Sequence, residues 1–130
     1  MSVVFKQTVP ILRIFDEGKA REFYLDFLGF KVDWEHRFED GAPLYTQVSR
    51  DGLVLHLSEH HGDGAPGTAV YVYMSGVGDL HAELSARKYK YNRPGLHDQS
   101  WGMREMTVND PFGNTIRFGE ALPDRSGRAS

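Results

Sequence analysis

Two stretches of the chain share one plan. RDGLVLHLSE, from Arg50, and PFGNTIRFGE, from Pro111, each place a turn glycine ahead of a strand, with an ionisable residue four positions beyond Gly52 and Gly113. His56 and Arg117 are therefore equivalents. TVPILRI and TAVYVYM form a second matching pair, each a strand that feeds a helical stretch. An internal repeat constrains the fold more than any local propensity does, because neither copy can bury its apolar face alone.

The copies fill out in the same order. DEGKAREFYLDFLGF, from Asp16, predicts the first helix: Asp16 caps it, Glu17 suits its positive end, and Ala20, Phe23, Tyr24, Phe27 and Leu28 recur at helical spacing before Gly29 stops the run. GDLHAELSARKYK, from Gly78, predicts the second, with Leu80 and Leu84 one turn apart and Asp79 as the cap. Strands are expected at QTVPILRI, FKVDWEHRF, LYTQVSR and LVLHLSE around the first helix, and at TAVYVYMS, YKYNRP, MREMTVN and NTIRFGE around the second. Each half reads strand, helix, strand, strand, strand. The expected class is α+β: two βαβββ modules forming a cupped mixed sheet with helices on the outer face. The modules would span about 5–60 and 67–120 of a single domain, joined by the glycine-rich linker HHGDGAPG, with 121–130 as a flexible tail.

Alternation in LVLHLSE sets Leu53, Leu55 and Leu57 on one face and Val54, His56 and Ser58 on the other. The leucines suit the helix side, so His56 and Arg117 point to the open face. The acidic balance, 15 Lys and Arg against 18 Asp and Glu, argues against a nucleic-acid partner. With no cysteine there are no disulfides, no thiolate metal sites and no cysteine nucleophile. The start, MSVVFKQTVP, lacks the pattern of a secretory signal, and no segment has the apolar length of a membrane span, so a cytoplasmic protein is expected.

Aromatic residues outside the core pattern are the remaining signal. DWEHRFED, Asp33 to Asp40, sets Trp34 and Phe38 among the acids Asp33, Glu35, Glu39 and Asp40, a combination that could stack a flat cation or could equally be a strand with both rings in the core. Trp101, in LHDQSWG, lacks periodic company and suits a surface or interface. His60 and His61, in the linker, read as solvated loop histidines.

VPILRIFDEGKAREFYLDFLGFKVDW, LVLHLSE, AVYVYMSGVGDLHAEL and WGMREMTVNDPFGNTIRFGE together resemble the glyoxalase, bleomycin-resistance and extradiol dioxygenase superfamily, the vicinal oxygen chelate fold, from Val9 to Glu120. The resemblance implies paired βαβββ modules. It also implies four inward positions from which the enzymes of the family hold a metal, aligned here with Val9, His56, Tyr71 and Arg117. Valine offers no donor atom, arginine is a fixed cation, and tyrosine is a poor ligand at neutral pH. A catalytic metal typically needs three protein ligands, so no metal and no cofactor are expected.

Within the superfamily the chain looks most like the bleomycin-resistance branch, through Val9 and Pro10 in the first strand and the ring positions Trp34, Phe38 and Trp101. That likeness implies an intertwined homodimer that sequesters a flat aromatic molecule, such as a bleomycin-type antibiotic, in clefts between subunits without chemistry. Ligand-binding residues would be Trp34, Phe38, His56, Trp101 and Arg117. Two other classes compete: a metal-dependent lyase or dioxygenase, which would need His56 together with ligands such as Glu59, His60 or Glu120, and a scaffold dimer without a small ligand.

Overall fold

The computed structural model describes residues 2–123. The first helix, α1, is α-helical over Glu17–Ala20 and π-helical over Arg21–Phe27. Its cap is Asp16, whose carboxylate accepts the Lys19 N–H at 2.8 Å. Farther along the turn widens: the Leu28 N–H reaches the Phe23 carbonyl, five residues back, at 2.9 Å. Two adjacent pairs, Phe23 with Tyr24 and Phe27 with Leu28, face inward, and all four are buried. Gly29, at φ +79°, ends the helix in the left-handed region.

The second helix, α2, spans Val77–Ala86. Asp79 is not its cap. The cap position is Gly76, which has no side chain to offer, and the Glu120 carboxylate takes the Val77 N–H at 3.0 Å instead. That bond, with one from the Gly76 N–H, holds the Glu120 carboxyl below its usual pKa. Lys88, left-handed at φ 51°, turns the chain out of the helix, and Tyr89 folds back to stack on Phe27 with ring centroids 4.8 Å apart. The strand expected at YKYNRP is therefore absent, and the short strand forms later, at Leu96–Asp98.

The strands are β1 (Ile11–Arg13), β2 (Lys31–His36), β3 (Tyr45–Arg50), β4 (Leu53–Ser58), β5 (Ala69–Tyr73), β6 (Leu96–Asp98), β7 (Met103–Asn109) and β8 (Thr115–Ala121). They form two four-stranded mixed sheets, ordered β1-β4-β3-β2 and β5-β8-β7-β6, one from each copy of the repeat. In each, the first strand pairs in parallel with the last and the rest pair antiparallel. The chain is α+β, as the repeat implies. β1 is shorter than expected because residues 2–10 have no regular structure, although the Pro10 carbonyl still accepts the His56 N–H at 3.0 Å. Residues 124–130 of the expected tail lie outside the described residues.

Both sheets turn their apolar faces to one core. Leu12, Val48, Leu55 and Leu57 from the first module and Met106, Val108, Ile116 and Phe118 from the second join the buried face of α1 in a single cluster. A polar clasp crosses the junction. Asp110 accepts the Tyr24 hydroxyl at 2.6 Å and the backbone N–H groups of Phe112 and Asn114 at 2.8 Å each, while the Asn114 amide donates to Asp110 and to the Arg13 carbonyl, both at 2.8 Å. Among the described residues no helix is long and apolar enough to cross a membrane.

Candidate functional site

The open face of the first sheet begins with a break in alternation. Val32 lies opposite Val48, which is buried, so a regular strand would turn Trp34 inward as well. The register instead shifts between Val32 and Trp34, Asp33 being the extra residue, and Trp34 falls opposite Gln47. The Thr46 hydroxyl, buried beneath the strand, donates to the Trp34 carbonyl at 2.7 Å and steadies the bulge. Trp34 thus reaches the open face, 43% exposed.

Three aromatic rings meet there. Trp34 stacks on Tyr45, with centroids 5.9 Å apart and planes 9° apart. His56 sits edge-on to both, 5.3 Å from the indole and 5.2 Å from the phenol. The wall extends through the β2–β3 loop, where Phe38 lies edge-on to His36 at 5.2 Å and to His60 at 6.4 Å. Arg37 ties that loop down, donating to the Ala42 carbonyl at 2.7 Å and to Glu17 at 2.8 Å. Neither Trp34 nor Phe38 enters the core. His60 departs from the solvated role expected of it: its carbonyl accepts from Arg13 at 2.7 Å, it is half-buried, and its ring joins the wall, whereas His61 is exposed.

A chain of hydrogen bonds fixes the state of His56. The Gln47 amide nitrogen donates to Asp33 at 3.1 Å, which leaves the Gln47 oxygen, 2.9 Å from His56 Nε2, as an acceptor. Nε2 must then carry the proton, and Nδ1 accepts from the Tyr45 hydroxyl at 2.7 Å. Burial lowers the imidazole pKa, which favours this neutral form. Hydrogen bonds from Ser49 and Gln47 hold the Asp33 carboxyl below its usual value, so the chain ends on a charge. Glu35, placed in the same acidic field by the sequence, is opposite Thr46 on the helix side and pairs with Arg21. The negative contribution comes from Asp33, with Glu39 and Asp40 in the exposed loop.

The second sheet presents a different surface. Arg117 lies beside Tyr71 across β5 and β8, and its Nε donates to the Thr107 hydroxyl at 3.3 Å. The Tyr71 ring crosses Gly119 to donate to buried Glu105 at 2.7 Å. The ring lies where a side chain at 119 would start: a Cβ there would be 2.0 Å from the tyrosine oxygen, so a larger residue would displace the ring. Trp101 stands in the turn before β7, 66% exposed. The structure brings Trp34, Phe38 and His56 into one wall, while Trp101 and Arg117 belong to the other sheet. Among the described residues no hydrogen bond, ion pair or ring contact joins the two groups.

The register tests the four inward positions. His56 pairs with Ile11, and Arg117 with Tyr71, so Ile11 rather than Val9 stands beside the histidine. The substitution changes nothing chemically, since isoleucine also lacks a donor. Both His56 nitrogens are engaged, the Tyr71 hydroxyl is bound to Glu105 with its pKa pushed up to about 12, and Arg117 is cationic. This donor set does not fit a divalent metal. Among the described residues no three His, Asp or Glu side chains converge elsewhere as a metal-binding group.

Tyr45 and Gln47 were missed in the sequence, although a signal for them exists. The Asp51-Gly52 pair, at φ 47° and 85°, forms the two-residue turn that aligns Arg50 with Leu53, and counting back from it puts Gln47 opposite His56.

A family described as "Glyoxalase superfamily protein" matches residues 1–124. Among curated proteins none matches the chain in sequence. A solved structure of a bleomycin-binding protein from bleomycin-producing Streptomyces verticillus, complexed with copper(II)-bleomycin, is 26% identical, with a TM-score of 0.69 over 95% of this chain and 100% of that one. A glyoxalase-related enzyme from Clostridium phytofermentans has a TM-score of 0.74 at 22% identity, over 92% of this chain and 98% of its own. TnmS3, an antibiotic binding protein from Streptomyces sp. CB03234, has a TM-score of 0.66 at 22% identity, over 92% and 99% of the two chains.

Proposed function

The chain belongs to the glyoxalase superfamily, and from that premise we propose that it is a binding protein of the bleomycin-resistance kind, which holds a flat aromatic, cationic small molecule without transforming it. The observation that carries this reading is the wall of Trp34, Tyr45 and His56, in which both imidazole nitrogens are taken up by Tyr45 and Gln47. Such a histidine is a fixed part of a surface. It has no free lone pair for a metal and no free nitrogen for proton transfer.

The cleft is completed by a second copy. Among the described residues of one chain no hydrogen bond or ring contact joins the wall to Trp101 and Arg117, which belong to the second module and are exposed. In a homodimer, the second module of one copy faces the first module of the other and closes a flat ligand between aromatic surfaces. Phe5, 95% exposed in the segment ahead of β1, adds apolar surface that such pairing would cover. The ligand's positive charge meets Asp33 and the acidic loop, and the cytoplasm is the compartment in which the protein acts. The bleomycin-binding and antibiotic-binding likenesses support the ligand class.

Titration with bleomycin, followed by calorimetry and by fluorescence of the two tryptophans, tests the proposal. Trp34→Ala should weaken binding by about 1 to 2 kcal/mol without unfolding the chain, and added salt should weaken it further. Sedimentation should give twice the chain mass. One tightly held metal ion per chain after dialysis would transfer the case to a metal-dependent lyase or dioxygenase.

A further inference from the structure

On the helix side of the sheets, away from the aromatic wall, the junction between the modules contains a cavity of about 330 Å³. Leu53, Val72, Met74, Leu80 and Phe118 supply its apolar lining. The first four are only half-buried although they pack on the core, so the core is left partly uncovered at this point. The volume is within the range of small-molecule pockets, and a methionine in the lining adapts to varied shapes.

The charges at the mouth select the kind of molecule. Arg50 spends its charge internally, on both oxygens of Glu83 at 2.7 and 2.8 Å and on the Leu28 carbonyl at 2.7 Å, and Arg87 holds the same Glu83 at 2.8 Å. Two carboxylates remain at the rim. Asp51 is exposed and 4.0 Å from Arg50, and Asp79 has no ion pair among the described residues. An anion has no comparable partner, because the start of α2, which opens at this mouth, is already filled by the Glu120 carboxylate. We infer that this cavity is a second ligand site, which takes a small amphiphilic cation, an alkyl or aryl amine, with its apolar body among Leu53, Met74 and Leu80 and its ammonium at Asp51 and Asp79. The site is separate from the aromatic wall and holds whether or not that wall binds a drug.

The test uses n-octylamine, with n-octanol and n-octanoate as neutral and anionic partners of equal length. Methyl-labelled methionine reports the cavity directly, since Met74 is the only methionine in its lining and Met74→Leu assigns its resonance. The amine should shift the Met74 methyl saturably and bind about two- to fivefold tighter than the alcohol, the range for one or two exposed charge pairs, with octanoate weakest. The double variant Asp51→Asn, Asp79→Asn should bring amine and alcohol to equal affinity. Asparagine tolerates the left-handed backbone at 51, so this variant keeps the fold. A Met74 methyl that none of the three probes moves overturns the site, and octanoate binding as well as octylamine overturns the assignment to cations. A Met74 resonance that shifts with protein concentration alone shows that a second copy fills the cavity, and also overturns the inference.

Discussion

Replacing Asp110 by Asn changes one atom of the clasp between the modules and should cost much of the stability. The carboxylate accepts four hydrogen bonds: from Tyr24 at 2.6 Å, and from the Phe112 N–H, the Asn114 N–H and the Asn114 amide at 2.8 Å each. An amide in its place offers one acceptor oxygen, so its NH₂ must face two of those donors whichever way it is turned. Turned toward the backbone, it opposes two N–H groups that cannot rotate. Turned toward Tyr24, the hydroxyl can reverse and accept, but Asn114 can follow only by giving up its bond to the Arg13 carbonyl. One to two hydrogen bonds to a charged group are lost in either case, each worth about 1.5 to 3 kcal/mol, or about 1.5 to 6 kcal/mol in total. At about 3 to 5 °C per kcal/mol for a domain of this size, Tm should fall by about 5 to 30 °C. Tyr24→Phe should cost about 1.5 to 3 kcal/mol alone, and the two changes should be less than additive because they share a partner. Calorimetry with chemical denaturation measures all three variants. If D110N melts within about 3 °C of the wild type, or the two losses simply add, the clasp is not what joins the modules.

Two further outcomes follow from the titratable groups. Tyr71, bonded to Glu105, and Tyr89, half-buried near Glu22, both have pKa values pushed up to about 12 from an ordinary 10. Between these values the unfolded chain releases protons that the folded chain keeps, so the stability they provide is full below pH 10 and lost as pH rises through 12; phenolate absorbance and denaturation midpoints across that window should agree. His56, lowered by burial from 6.5, contributes in the opposite sense: its share of stability is full above pH 6.5 and lost as pH falls through the folded value. Nitrogen NMR of the imidazole should show the proton on Nε2, and the opposite tautomer would break the hydrogen-bond chain from Tyr45 to Asp33.

Most of the architecture is legible because it rests on local chemistry. Turn glycines, alternating strands and the Asp16 cap specify the repeat, and MREMTVN is the strand it reads as, residue for residue. The misreadings come where distant contacts override a local pattern. The α2 cap is supplied by Glu120, far along the chain, and Tyr89 leaves an expected strand to stack on Phe27. The π-helical stretch is invisible in the spacing because Phe23, Tyr24, Phe27 and Leu28 satisfy an ordinary helix equally well. In the candidate site, His56 is readable from alternation alone. The face taken by Trp34 is not, since no residue type in KVDWEH marks where an extra residue enters the ladder.

That extra residue gives β2 a particular tolerance of length. Val32 is anchored to the core opposite Val48 and Trp34 to the wall opposite Gln47, with Asp33 as the extra backbone position between two fixed points. Loss of Asp33 would leave an unbroken ladder with both neighbours on their present faces. Loss of Glu35 would instead set His36 against the buried Thr46 or drag the indole inward. Near-UV circular dichroism of the Trp34 and Tyr45 stack would tell the outcomes apart. A change of length at the bulge therefore keeps the ring on the open face while removing the carboxylate that ends the hydrogen-bond chain, whereas at the neighbouring positions it inverts the surface.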